Sequence, residues 1–132
     1  MAEKEKERLK QKVLSVKDST QIRVRFTDTD EGREVHFISY LNYIHEAFIK
    51  FMKNIENPVE GIGSSSVSFP VKEMQVQYAD FATFGDQVIV NTSLKDIEET
   101  HMTFTHEVLK KSTNSLLVRA ECMREVREAR TK

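Results

Sequence analysis

The sequence has one Cys, two Pro, four Gly and no Trp in 132 residues. A lone Cys122 can make no internal disulfide, so the fold does not depend on one. Neither sign of charge dominates: 20 Lys+Arg stand against 21 Asp+Glu, a formal net charge of −1. That balance argues against broad nucleic-acid binding, which rests on a clustered positive surface. Long apolar runs are missing too. The longest uncharged stretch, residues 61–71, is rich in Gly and Ser, and nothing approaches the ~20 apolar residues of a membrane span. The opening residues, MAEKEKERLKQK, lack the apolar core of a secretory signal. Together these absences predict a soluble, cytoplasmic protein of a reducing compartment. The length predicts a single domain over residues 1–132, since domains most often hold about 100–150 residues. A domain of this size buries roughly two thirds of its unfolded surface and needs no structural metal.

Residues 1–15 open with Glu3, Glu5 and Glu7 interleaved with Lys4, Lys6, Arg8, Lys10 and Lys12, which predicts a charged, solvated tail or helix. Over residues 20–28, Ile22, Val24 and Phe26 alternate with Gln21, Arg23 and Arg25, the period of a half-buried strand. The period then changes. Phe37, Tyr40, Leu41, Ile44, Phe48, Phe51, Met52 and Ile55 fall three and four apart. That spacing predicts a largely buried amphipathic helix of about five turns, ended by Asn54, Asn57 and Pro58. GIGSSS at 61–66 reads as a flexible connection. Strand patterns follow. One holds Phe69, Val71, Met74, Val76 and Tyr78, with Pro70 where an edge or bulge tolerates it. Phe84-Gly85-Asp86 makes a turn into Val88, Val90, Thr92 and Leu94. Met102, Phe104, His106 and Val108 alternate next, and Leu116, Val118, Ala120 and Cys122 close the run. Short connections make the last three strands an antiparallel meander. A lone helix with so apolar a stripe needs the sheet to cover it. The fold class is therefore α+β, one curved antiparallel sheet around one helix. The meander's outer strands are expected to leave edges, and a homodimer would hide one edge per subunit.

Four carboxylates, Asp28, Asp30, Glu31 and Glu34, lie within seven residues between the first strand and the helix. A helix N-terminus offers unpaired N–H groups and partial positive charge. Such amides polarise a carbonyl or hold an oxyanion, and a nearby carboxylate can act as nucleophile or general base. The plainer alternative is that Asp28 and Asp30 cap a turn or the helix. A calcium loop is excluded, because Arg33 stands where the EF-hand needs Gly and Ser39 where it needs a carboxylate. His36, just before the helix, is open to roles as proton shuttle, pocket donor or loop residue. His101 and His106, five apart on a strand, face opposite ways and form no paired metal site. Cys122 reads as a small core residue. No zinc spacing, nucleophile elbow or dinucleotide glycine pattern is present.

The ordered set Phe26-Thr27-Asp28-Thr29-Asp30, Val35, Tyr40 and Glu46, then Val76-Gln77-Tyr78 and Gly85-Asp86, resembles the hotdog-fold acyl-CoA thioesterases of the 4-hydroxybenzoyl-CoA thioesterase-like group. The resemblance covers residues 20–125. It implies a long helix wrapped by an antiparallel sheet, and subunits paired as a homodimer or homotetramer with active sites at the interface. It implies thioester hydrolysis of an acyl-CoA with no metal and no cofactor. Asp30 takes the place of the catalytic carboxylate. The Phe37 backbone amide takes the place of the carbonyl-polarising donor. The acyl chain is expected beside Tyr40, Tyr43 and Ile44, with Arg33 and His36 in the substrate pocket. Four positions depart from the family pattern. Arg33 stands where Gly is usual, and Glu34 where an apolar residue is common. His36 comes one residue before a frequent His. The Tyr-x-x-Pro piece reads Tyr78-Ala79-Asp80-Phe81. Arg33 and Glu34 have the chemistry to pair with each other or with Asp30. Two other functions fit the same fold: a thioesterase acting on acyl-carrier protein, and a non-catalytic hotdog domain that binds an acyl-CoA or a protein.

Overall fold

The structure, a computed structural model, describes residues 4, 8, 11–12, 14–56 and 67–128. Of the charged N-terminal segment, residues 4, 8, 11, 12 and 14 are helical. Ser15 makes a turn, and the other residues of that segment, the 61–66 connection and the helix-ending Asn57 and Pro58 lie outside the described residues.

The strands are β1 (Lys17–Arg23), β2 (Val67–Ser68), β3 (Val71–Tyr78), β4 (Gln87–Ile97), β5 (His101–Lys110), β6 (Ser115–Glu125) and β7 (Arg127–Glu128), and the long helix α1 is Phe37–Glu56. Five strands form one antiparallel sheet in the order β1-β4-β5-β6-β3, while β2 and β7 pair apart. The expected meander is its centre. Its outer strands are not edges, however: β1 covers β4 and β3 covers β6. The open edges move out to β1 and β3, which sequence order alone does not reveal because β1 reaches the sheet across the whole helix.

The alternation of β4 and β5 is regular, with Val88, Val90, Thr92 and Leu94, then Met102, Phe104, His106 and Val108, all facing inward and buried. On β6 the alternation slips. Val108 pairs with Val118 and Leu109 with Leu116, so Leu117 is an extra residue. Leu117 and Val118 are both buried, whereas Leu116, expected inside, is partly exposed. A second irregularity between Val71 and Glu73 follows Pro70, which separates β2 from β3. Pro cannot donate to a ladder, so pairing breaks there.

Helix α1 lays Tyr40, Tyr43, Ile44, Ala47, Phe48, Phe51, Met52 and Ile55 on the sheet. Each large side chain so buried contributes about 1.5–3 kcal/mol. Two members of the expected stripe differ: Leu41 is half-buried, and Phe37 is 58% exposed. Phe37 begins the helix and projects past the end of the sheet.

The first strand also differs from expectation. It starts earlier, at Lys17, and ends at Arg23. Residues Phe26–Asp28 turn into a single 3-10 turn, which leaves Phe26 62% exposed. The Asp28 carboxylate accepts the Arg25 backbone N–H at 3.0 Å and so reverses the chain where alternation alone would continue it.

Candidate active site

Residues 29–35 form a small hairpin. Thr29 bridges Val35, Asp30 N–H donates to Glu34 O at 2.9 Å, and Arg33 N–H donates to Asp30 O at 3.0 Å. A three-residue loop of this kind ends on a residue in the left-handed region. Arg33 fills that position, at φ 67°. The family's usual Gly at this position thus has a physical reason, and Arg33 holds a conformation that a side chain disfavours by roughly 1–2 kcal/mol. The hairpin is fastened from outside. Val35 N–H donates to Ala82 O at 2.9 Å, Glu34 bridges Thr83, and Phe84 N–H donates to Arg33 O at 3.0 Å. The 83–86 turn is itself locked: Thr83 N–H and Oγ1 both donate to Asp86 Oδ2, and Gly85 takes φ 90°.

The two aspartates of the loop have different surroundings. Asp28 is the better held. Its Oδ2 accepts the Tyr43 hydroxyl at 2.9 Å and the Arg25 Nε–H at 3.1 Å, besides the Arg25 backbone N–H. Burial pushes its carboxyl up, but the bonds from Arg25 and Tyr43 outweigh that and hold it below the ordinary carboxylate range. Asp30 is exposed. Its Oδ1 accepts Gly32 N–H at 3.0 Å. Oδ2 has no protein partner among the described residues. At Asp30 the turn-capping bond uses one oxygen, and the other has no protein partner among the described residues.

The helix N-terminus lies next to this loop. His36 N–H donates to Asp28 O at 2.9 Å and Ser39 N–H donates to His36 O at 2.8 Å. Ile38 N–H donates to His36 Nδ1 at 3.2 Å. His36 thus caps the helix, and its accepting Nδ1 assigns the proton of the neutral ring to Nε2. Of the amides from His36 to Ser39, only that of Phe37 has no protein acceptor among the described residues. It is the free donor at the positive end of α1, where an oxyanion is favoured.

Exposed aromatic rings surround this donor and the loop. Phe37 stacks on His36 at 4.7 Å and meets Tyr78 edge-on at 6.5 Å. The Tyr78 hydroxyl donates to Phe37 O at 3.1 Å. Phe26 and Phe84 meet edge-on at 5.8 Å, and Phe81 is half exposed beside them in sequence. The Tyr78–Phe37 and Tyr43–Asp28 bonds have no sequence signature, since their partners lie 41 and 15 residues apart.

The structure brings together Asp30, Arg33, His36 and Phe37 on one exposed loop and helix start. It does not place Tyr40, Tyr43 and Ile44 there. The two tyrosines are 0% exposed and Ile44 is buried, all within the core cluster. Tyr40 Oη accepts Ala82 N–H at 2.9 Å, and Tyr43 is engaged with Asp28. In this chain they sit on the face of α1 that is turned to the sheet. The expected ion pairs of Arg33 are also absent. Among the described residues its guanidinium lies within ion-pair reach of neither Asp30 nor Glu34.

An available carboxylate and a free helix-terminal amide are the elements of acyl transfer to water. Comparison with known proteins agrees. The chain is 26% identical over 102 residues to the acyl-CoA thioester hydrolase YbgC of Escherichia coli, a match covering 77% of this chain and 75% of that one. A hypothetical protein, TT1821, from Thermus thermophilus is 27% identical with a TM-score of 0.75, over 89% of this chain and 90% of that one. A probable thioesterase from Bartonella henselae is 19% identical with a TM-score of 0.74, over 89% of this chain and 96% of that one. The model of the thioesterase-like superfamily matches residues 24–131. By that match, over most of its length, and by its hotdog architecture of one helix on a five-stranded antiparallel sheet, the chain belongs to the thioesterase-like superfamily.

Proposed function

We propose that this protein hydrolyses acyl-CoA thioesters, with Asp30 as the catalytic carboxylate and the Phe37 N–H as the oxyanion donor. The observation that carries the reading is an Asp30 oxygen and a Phe37 amide that no described protein group uses, on a loop and a helix start tied together by the His36 N–H to Asp28 O bond. The hydrolase YbgC, similar over three quarters of its length, supports the acyl-CoA part. In the general-base form, Asp30 takes a proton from water as the water oxygen bonds to the thioester carbonyl carbon. The negative charge that develops on the carbonyl oxygen is held by the Phe37 N–H. Collapse breaks the C–S bond, and the departing thiolate takes up the proton to give free acid and thiol. As a nucleophile, Asp30 would instead form an anhydride that water then opens. Neither route requires a cofactor. Arg33 and His36, exposed on either side of the site, are the side chains that meet the substrate.

The same reading includes a homo-oligomer. Val71 and Tyr78 on the open β3 edge are exposed, as are Phe37 and Phe81. A second copy across that edge covers them and walls the site. No helix among the described residues is long and apolar enough to cross a membrane, and we place the protein in the cytoplasm.

The test is thiol release from short, long and aromatic acyl-CoAs and matched carrier-protein thioesters, with Asp30→Asn beside the wild type. Because Asp30 is exposed, the variant should fold normally and lose turnover by about 10²-fold or more. Undiminished turnover in Asp30→Asn removes Asp30 from the mechanism.

A further inference from the structure

The geometry points to Tyr43 and Asp28 as a buried positioning pair that sets the catalytic loop against the helix start. The inference rests on the assignment of Asp30 and the Phe37 amide above. Those two groups belong to different elements, one to the hairpin and the other to α1. Between them stands Asp28. Its backbone O accepts the His36 N–H at 2.9 Å and the Ser39 hydroxyl at 2.9 Å. Its carboxylate accepts the Tyr43 hydroxyl at 2.9 Å, nearly two turns further into the helix. One residue is thus tied to α1 at positions 36, 39 and 43, and Asp30 follows it by two residues in the chain.

The ties are unequal. Arg25, the other partner of the carboxylate, has an exposed side chain, and exposed ion pairs contribute little. Tyr43 is 0% exposed and edge-on to Tyr40 at 5.9 Å, so its hydroxyl has no freedom to leave. It is the fixed end of the link. Burial, then the hydrogen bond to Asp28, pushes the Tyr43 phenol up, so the hydroxyl remains a donor across the working pH range. Removing that hydroxyl leaves the ring packed and the core filled. What it releases is the distance between the Asp30 carboxylate and the Phe37 amide, and small errors in such distances cost catalysis heavily.

The experiment compares wild type, Tyr43→Phe, Asp28→Ala, Asp28→Asn and Thr92→Val. Thr92→Val removes a buried hydroxyl bond elsewhere in the core, that of Thr92 Oγ1 with His106 Nδ1 at 3.0 Å. Tyr43→Phe should lower kcat about tenfold or more with KM within about twofold, whereas Thr92→Val should leave kcat of the folded protein unchanged. Asp28→Asn, which keeps an acceptor for Tyr43, should recover most of the kcat that Asp28→Ala loses. Backbone NMR of labelled Tyr43→Phe should move the amide resonances of Asp30 and Phe37 and leave those of Val90 and Phe104 in place. Unmoved resonances at Asp30 and Phe37 overturn the pair whatever the activity. So does a Tyr43→Phe kcat equal to wild type, or one lowered no more than in Thr92→Val. If the wild type turns over no thioester, the functional reading fails by itself, and the NMR comparison still decides the positioning claim.

Discussion

In its first half α1 turns two tyrosines, Tyr40 and Tyr43, to the sheet; in its second half it turns Phe48, Phe51, Met52 and Ile55. Burial is nearly complete at both ends, yet the surroundings are held differently. Around Phe51 the contacts are chiefly ring packing, with the Arg124 guanidinium 3.6 Å over the Phe48 ring. Phe104 meets Phe48 at 5.2 Å and Phe51 at 5.7 Å, both edge-on, with Leu94 and Met102 filling in. Around the tyrosines each ring also spends a hydroxyl: one accepts from Ala82, and the other donates to Asp28. The apolar end supplies stability without specifying any loop. The tyrosine end gives up some hydrophobic gain to fix two irregular segments, 28–36 and 79–86, beside the candidate site. The lesson is that one helix can divide these tasks along its length, and that chemistry follows the end with the polar handles.

Three changes test this division, in order of expected size. The largest is at the apolar end. Phe104→Ala opens a cavity among fully buried rings and should cost about 3–5 kcal/mol, read by chemical denaturation. The division holds if kcat of the folded fraction is unchanged; a parallel loss of kcat would break it. Second is acid. His106 is buried on β5, its Nδ1 paired with Thr92, and burial, reinforced by the Arg124 charge, lowers its pKa to about 4 from 6.5. Unfolding therefore takes up a proton between those values, so stability present above pH 6.5 is lost as pH falls towards 4. The loss should reach about 3 kcal/mol at the low end, seen as falling denaturation midpoints. His106→Gln should flatten that limb. Asp28 adds a loss of the same sign, but only as pH falls through and below its ordinary value of 3.8. The smallest change lies at the site. Arg33→Gly relieves the left-handed strain but frees the unfolded chain, so the net gain should be under about 1 kcal/mol. Its main effect should be on KM, measured by substrate titration, if Arg33 meets the acyl-CoA; a flat KM removes Arg33 from the site.

Legibility from sequence followed the same division. The apolar end was readable because periods of two and 3.6 report burial directly: β4, β5 and the stripe from Tyr40 to Ile55 lie where the spacing puts them. The tyrosine end was half readable. Period put Tyr40 on the stripe that the sheet covers, but left out Tyr43, which is buried beside it. The proposal of Asp30 and the Phe37 amide rests on the loop-to-helix resemblance. The turn at Phe26 did not show, because Phe26 continues the alternation of Ile22 and Val24, and only the Asp28 carboxylate on Arg25 N–H stops it. Nor did β1 announce its start, since Lys17, Asp18 and Ser19 carry no apolar signal; its course follows from pairing with Thr92 and Asn91 on β4. The absent ion pairs of Arg33 are a related case. Adjacency in sequence suggests a pair with Asp30, and none forms among the described residues.

The extra residue at Leu117 has a consequence for how this gene tolerates errors of length. Along most of β6 the loss of a single codon would shift every later side chain by one and drive Arg119 or Glu121 into the apolar interior, which few domains survive. At Leu116–Leu117 the ladder already carries two residues against one. A one-residue deletion there would restore even pairing and leave the inward set Val118, Ala120 and Cys122 in place. The bulge is therefore the point in the strand where a one-residue loss would keep the register of the later inward set, with the buried side chain of Leu117 lost.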